Sequence, residues 1–155
     1  MSVAFAAEAF SKVWPEAQLL MQAHWAELAH YPDIPLDPNE ATYAAAESLG
    51  ILRVFTVRDA GDLVGYCAFH VCPAPHYKTS IQAHGDVIYL HPALRGRLVG
   101  LRFLKWCDAQ LSDEGVQVVY HHVKLAHPQL GGVLNKMGYQ PIDTIYGKRL
   151  DHGRS

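Results

Sequence analysis

The chain has 155 residues, half of them apolar and a tenth aromatic, with 13 Lys+Arg against 15 Asp+Glu and a formal net charge of −2. That length suits a single domain, 1–155, able to bury a core, and the composition excludes a disordered chain. The near-neutral charge, without a basic tail or Lys/Arg run, excludes a general nucleic-acid binder or a membrane-surface protein.

No apolar stretch approaches the roughly 20 residues of a membrane span, and no basic-then-apolar leader opens the sequence. Cys67, Cys72 and Cys107 are odd in number and scattered, which suits a reducing compartment. A cytoplasmic location is expected.

Residues 4–30 read as a helix in which Phe5, Phe10, Val13, Leu19, Leu20, Trp25 and Leu28 mix with polar positions, broken near its middle by Pro15. Pro32, Pro35 and Pro38 make 31–38 a loop. Asn39 or Asp37 caps a second helix over 40–49, stopped by Gly50. Residues 51–57 and 63–71 are β-rich runs joined by a Gly-containing turn, a hairpin signal. Pro73 and Pro75 end the second strand, and a loop through His76, Tyr77 and Lys78 leads to a third strand over 86–91. A helix follows, with Gly100, Phe103, Leu104, Cys107 and Leu111 on one stripe and Gly115 at its end. A strand over 116–124, a short helix from Pro128 to Lys136 stopped by Gly138, and a last strand over 140–150 complete the pattern. The strand–helix–strand unit in the second half makes its two strands parallel neighbours. Neither a linker nor an internal repeat divides the chain.

Between the third strand and its helix lies Arg95-Gly96-Arg97-Leu98-Val99-Gly100. A strand that turns sharply into a helix gathers unpaired N–H groups at the helix start, where the helix dipole favours an anion. Arg95 and Arg97 add positive charge, and Gly96 and Gly100 allow close approach to the backbone. The segment reads as a phosphate or pyrophosphate site, or as a glycine-rich helix entry without a ligand.

This segment resembles the acetyl-CoA-binding motif of the GNAT-type N-acetyltransferases, Arg/Gln-x-x-Gly-x-Gly/Ala after a strand, through Arg95, Gly96 and Gly100. Leu98 stands where the family has its first signature glycine. Leu63-Val64-Gly65-Tyr66, Tyr89-Leu90-His91-Pro92 and Lys136-Met137-Gly138-Tyr139 are also similar to family sequences. The His24-Trp25, Pro75-His76-Tyr77-Lys78 and Asp86-x-Ile88-Tyr89 pieces look like phage- and prophage-encoded members. The resemblance implies an α/β GNAT fold, a mixed central sheet with flanking helices, over nearly the whole chain. It also implies direct acetyl transfer from acetyl-CoA to a primary amine on a small molecule or protein. The alternative is a GNAT-like domain of weak or no activity that serves as a CoA-binding or protein-interaction module. A homodimer is compatible with either.

By the same resemblance, pantetheine lies in a gap between splayed strands against the main chain of Tyr89, Leu90 and His91. Leu90 N–H then faces the thioester oxygen, and the N–H groups of Arg95, Gly96, Arg97, Leu98, Val99, Gly100 and Leu101 hold the pyrophosphate. The reaction needs a base for the amine, a donor for the developing oxyanion and a proton for the thiolate. Asp86 and His91 are the candidate bases in the key strand, the first as a carboxylate sharing a face with Ile88 and Leu90, the second by its ordinary pKa. Asp86 can equally be a turn cap and His91 a solvated loop residue. The family's usual acid, a tyrosine four residues before the glycine of Lys-Met-Gly-Tyr, is replaced by Leu134, leaving Tyr120, Tyr139 and Tyr146 as substitutes. His76 and Tyr77, in the loop before the strand, and Trp25 and Tyr31, near the end of the first helix, are candidates for contacting the acceptor. Ten histidines invite a metal, but adjacent His121 and His122 point to opposite faces of a strand, and no spacing matches a zinc site, so no metal is expected.

Overall fold

The computed structural model describes residues 2–151; residue 1 and residues 152–155 of the expected domain lie outside the described residues. A five-stranded sheet is built from β1 (Val3–Ala7), β2 (Leu52–Asp59), β3 (Asp62–Ala74), β4 (Tyr77–Leu90) and β5 (Val118–Tyr120), in that spatial order. Neighbours are antiparallel except β4 and β5, which are parallel and connected through α3 (Leu98–Asp113).

Alternation along the strands divides the core in two. Phe55, Val57, Cys67, Phe69 and Val71 pack against Val99, Phe103, Cys107 and Leu111 of α3. Tyr66, Ala68 and Tyr89 face the other way, against Phe10, Val13, Trp14 and Ala17 of α1 (Phe10–Leu28), with Tyr43 of α2 (Glu40–Ser48) beside them. The expected stripe on α3 is therefore its buried face. α2 also matches expectation: Asn39 Oδ1 accepts from Thr42 N–H at 3.1 Å, and Gly50 follows with φ +71°. The helix after Pro128 is α4 (Gln129–Lys136).

The opening residues depart from expectation. Val3–Ala7 is a strand rather than helix, because β2 offers an unpaired edge that it fills, and Phe5 then reaches Phe103 at a ring distance of 5.3 Å. Tertiary pairing overrides the helical tendency of an Ala-rich run. Pro15 does not break α1; it and Ser11, whose carbonyl it leaves without its helical donor, are both exposed, so water can take the donor's place. The loop before the third strand is a tight turn at Pro75 and His76, since β3 and β4 run on to Ala74 and Tyr77. The expected strand over 116–124 shrinks to Val118–Tyr120.

No strand forms over 140–150. Pro141 supplies no N–H, and the segment is drawn instead onto the α1–α2 loop. There Arg149 pairs with Asp33 at 2.7 Å and lies over the Tyr31 ring at 5.5 Å.

Arg58 of β2 joins three elements. Its Nε donates to Glu8 Oε2 at 2.8 Å, its Nη1 to Glu16 Oε2 at 2.9 Å, and Nη1 also to the Gly61 carbonyl at 2.9 Å. Glu8, only 6% exposed at its side chain, is held by Arg58 at about 2, below its ordinary 4.5. A carboxyl depressed on folding contributes stability that is complete above the unfolded value and lost as pH falls through the folded one. Thermal melts should therefore lose stability between about pH 4.5 and pH 2. Glu8→Gln should be less stable at pH 7 and show a shallower acid slope; an unchanged slope would remove Glu8 from the account.

Candidate active site

On one side β4 pairs with β3 along its length; on the other it meets β5 only at Gln82–Val118, Ala83–Val119 and His84–Tyr120. The strands part at Gly85. A Cβ there would stand 3.1 Å from the Tyr120 carbonyl oxygen and 3.2 Å from His121 Nδ1, so any side chain would push the departing chain a few tenths of an ångström away. His91 N–H donates to the Val64 carbonyl at 2.8 Å. By antiparallel alternation the N–H and C=O of Leu90 then point away from β3, into the gap.

The chain leaves the gap through a 3-10 turn, Pro92–Leu94, capped by His91, whose Nδ1 accepts from Ala93 N–H at 3.3 Å. Gly96 takes φ +72° with open space around a Cβ position, and α3 starts at Leu98 with no side-chain cap and no acidic residue in its first turn. A Cβ on Gly100 would meet only Leu90 Cδ2, at 3.6 Å. The first-turn N–H groups of Leu98, Val99, Gly100 and Leu101 therefore open onto an accessible surface that suits a pyrophosphate. Leu98, 70% exposed, stands at its rim.

Arg95 departs from the expected role. Its N–H donates to the Pro92 carbonyl at 3.1 Å, and its guanidinium turns from the helix start towards α1. There Nε donates to Leu90 O at 2.7 Å, while Nη1 and Nη2 pair with the Glu27 carboxylate at 2.8 and 3.0 Å. The guanidinium also lies over the Tyr89 ring, 5.5 Å from its centre.

Asp86 sits at a bulge, where the register shifts between Ala68–Val87 and Phe69–Gly85. The extra residue breaks the simple alternation. Ile88 and Leu90 pack on the α3 side, whereas Asp86 Oδ2 accepts from Tyr43 Oη at 2.6 Å on the α2 side, so the three do not share a face. Burial, then the Asp86 carboxylate, push the Tyr43 hydroxyl pKa up, which keeps it a donor. Beside this pair, Phe10, Trp14, Met21, Val54, Tyr43 and Tyr66 line an apolar slot of about 40 Å³. Tyr66 and Tyr89 stack at 5.7 Å, and Tyr66 Oη lies 3.1 Å from His24 Nδ1. Burial lowers the His24 pKa, favouring its neutral form.

The other expected residues are placed as follows. Trp25 and Tyr31 are half-buried at the end of α1 and in the loop after it, with Tyr31 under Arg149. His76 and Tyr77 do not approach the gap: they are exposed at the β3–β4 turn, at the opposite end of β4 from Leu90, on the order of 40 Å along the strand. Leu134 is buried in α4. Among the substitute tyrosines, Tyr139 Oη donates to Asp108 at 2.7 Å, Tyr120 stacks on His84, and Tyr146 is 92% exposed. Among the described residues no group of three or more His, Cys, Asp and Glu side chains could hold a metal ion.

Nothing in the sequence marks His24, Glu27, Tyr43 or Tyr66 as a site residue, although His24 and Tyr66 lie in pieces similar to family sequences. The three-residue spacing of His24 and Glu27 does place them on one helix face. What makes them part of the site is contact with β3, β4 and the turn, which no local pattern records.

The chain matches the acetyltransferase (GNAT) family over residues 7–139 and belongs to it. No curated protein matches it significantly in sequence. Its fold is shared with the ribosomal-protein-alanine N-acetyltransferase of Brucella melitensis biovar Abortus 2308, at TM-score 0.70 and 16% identity over 96% of this chain and 99% of that one. An aminoglycoside acetyltransferase from an uncultured soil metagenomic sample, in complex with trehalose, superposes at TM-score 0.72 and 11% identity, covering 95% and 97% of the two chains. A predicted acetyltransferase with acetyl-CoA from Clostridium acetobutylicum gives TM-score 0.68 and 12% identity over 96% and 97%.

The close approach of β3 to the gap strand is itself testable. A Cβ on Gly65 would lie 2.9 Å from the Tyr89 carbonyl oxygen and 3.0 Å from Leu90 Cδ1. Gly65→Ala should cost roughly 1–3 kcal/mol of stability. Chemical denaturation checks this, and a wild-type midpoint would show that β4 yields freely.

Proposed function

We propose that the chain transfers the acetyl group of acetyl-CoA directly to a primary amine, on a small molecule or a protein. The observation that carries the reading is the unpaired edge of β4, with Leu90 N–H directed into the gap, running into the uncapped start of α3. Acetyl-CoA supplies an activated acetyl group as a thioester. Leu90 N–H is the donor for charge developing on the acetyl oxygen, and the first turn of α3 holds the phosphates. Asp86 is the base, its carboxylate oriented by the Tyr43 hydroxyl. Tyr89, Trp25 and Tyr31 complete the pantetheine and acceptor walls, and the His91 main chain continues the cofactor track. Its side chain is a turn cap rather than a base. Without a tyrosine at Leu134, the thiolate leaves without a dedicated acid.

A second reading, a GNAT-like module that binds CoA weakly, is favoured by Leu98 at the rim of the phosphate turn and by the buried Leu134. We extend the main reading to one domain, 1–155, in the cytoplasm, consistent with three free cysteines; no helix among the described residues is long and apolar enough to cross a membrane. Exposed Ile142, Ile145, Tyr146 and Leu150 and the β5 sheet edge support a homodimer. The short pieces around His24, His76 and Asp86 support a phage or prophage origin.

Calorimetry with acetyl-CoA tests the cofactor site, and no heat with excess ligand overturns the transferase; thiol release from acetyl-CoA that depends on an added amine separates the transferase from the CoA-binding module, which should show none. Gly100→Asp should abolish that binding by repelling the phosphates, yet leave the melting temperature unchanged or higher, because a carboxylate in a first helical turn favours the helix. With an acceptor in hand, Asp86→Asn should lower turnover roughly 10²–10⁴-fold with little change in acetyl-CoA affinity. Normal turnover with a lower melting temperature would make Asp86 a structural partner of Tyr43 only.

A further inference from the structure

Where β5 leaves the sheet, Leu90 loses the neighbour that would have fixed its outward-facing carbonyl. Arg95 replaces it: Nε donates to Leu90 O at 2.7 Å, in the place of a strand's N–H. The guanidinium is itself held on two further sides, by both carboxylate oxygens of Glu27 and by the face of Tyr89. Glu27 comes from α1, so α1 and the turn before α3 meet at the Arg95 guanidinium, which in turn holds the Leu90 carbonyl. In an extended residue the N–H and C=O lie on the same edge of the strand, so a clamp on the Leu90 carbonyl also sets the direction of the Leu90 N–H.

We infer that Glu27 and Arg95 are positioning residues, a strut between α1 and β4 that aims the Leu90 N–H, and that the Arg95 side chain does not bind the cofactor phosphates. The inference rests on the acetyl-transfer reading for its consequence in catalysis, whereas the strut itself is made of contacts between the protein's own residues. A guanidinium swung to the phosphates would abandon the Leu90 carbonyl, the Tyr89 ring and a half-buried Glu27 carboxylate together. A bidentate pair of this kind is the geometry in which Arg is not replaceable by Lys.

Two pairs of probes separate a strut from a phosphate ligand. CoA and pantetheine share the thiol arm, but only CoA carries the pyrophosphate. If Arg95 bound phosphate, Arg95→Lys would weaken CoA and spare pantetheine. Glu27→Ala would then free the guanidinium and tighten CoA. For a strut, calorimetry should show that both variants change CoA and pantetheine affinity in the same proportion, with Glu27→Ala never tighter than wild type. Acetyl transfer from acetyl-CoA to a polyamine probe accepted by the wild type should fall up to roughly 100-fold in kcat, with little change in KM for acetyl-CoA. The double variant Glu27→Ala/Arg95→Lys should be no worse than the poorer single variant. In the free protein, the 15N–1H resonance of Leu90 should shift or broaden in Glu27→Ala.

An unmoved Leu90 resonance, or tighter CoA binding by Glu27→Ala, overturns the strut. Failure of the wild type to bind CoA would instead overturn the acetyl-transfer reading, and the Leu90 resonance would still test the strut.

Discussion

The geometry of the candidate site depends on the parting of β4 and β5 after three paired residues. From Gln82 to His84, β4 is an interior strand paired on both edges; beyond Gly85 its β5-side edge is free in the middle of a fold. A free edge inside a protein leaves backbone donors and acceptors unpaired, which is costly unless something meets them. Here the carbonyl of Leu90 is met by Arg95, and its N–H is left directed into the gap. Two glycines permit the geometry: Gly85 on the side where β5 departs, and Gly65 on the side where β3 presses close.

The free edge is useful because rigid elements surround it. α3 packs its apolar stripe under one face of the sheet, and this packing fixes the helix start beside the end of β4. α1 covers the other face and is fastened at both ends by charge. Arg58 ties its beginning to β1 and the β2–β3 turn through Glu16 and Glu8, and Glu27 ties its end to Arg95. The bulge at Asp86 turns that carboxylate onto the α1–α2 side, where Tyr43 meets it. One strand thus serves two faces: a backbone donor in the gap and a carboxylate beside the apolar slot.

The structure also separates two roles that a motif merges. In the segment Arg95–Gly100, the start of α3 has no side-chain cap, while the first arginine's guanidinium is bonded to the Leu90 carbonyl and to Glu27 of α1.

By itself the sequence determined the elements whose cause is local. Among these are the α3 stripe, the Asn39 cap, the glycine stops, the hairpin of β2 and β3, and the glycine turn that marks the family. Each depends on residues within a turn or two of one another, so periodicity and capping chemistry suffice. The tertiary structure alone decided the rest. Val3–Ala7 became a strand because β2 had an edge to fill, and residues 140–150 lost theirs to Arg149. His76 and Tyr77 moved away from the site because β3 and β4 are longer than their apolar runs. Asp86 changed faces because a bulge inserts one residue, and Glu27, His24, Tyr43 and Tyr66 joined the site from positions 23 to 68 residues distant from their partners in sequence. Contacts at such separations depend on how strands register and helices pack, quantities that no short stretch of sequence contains.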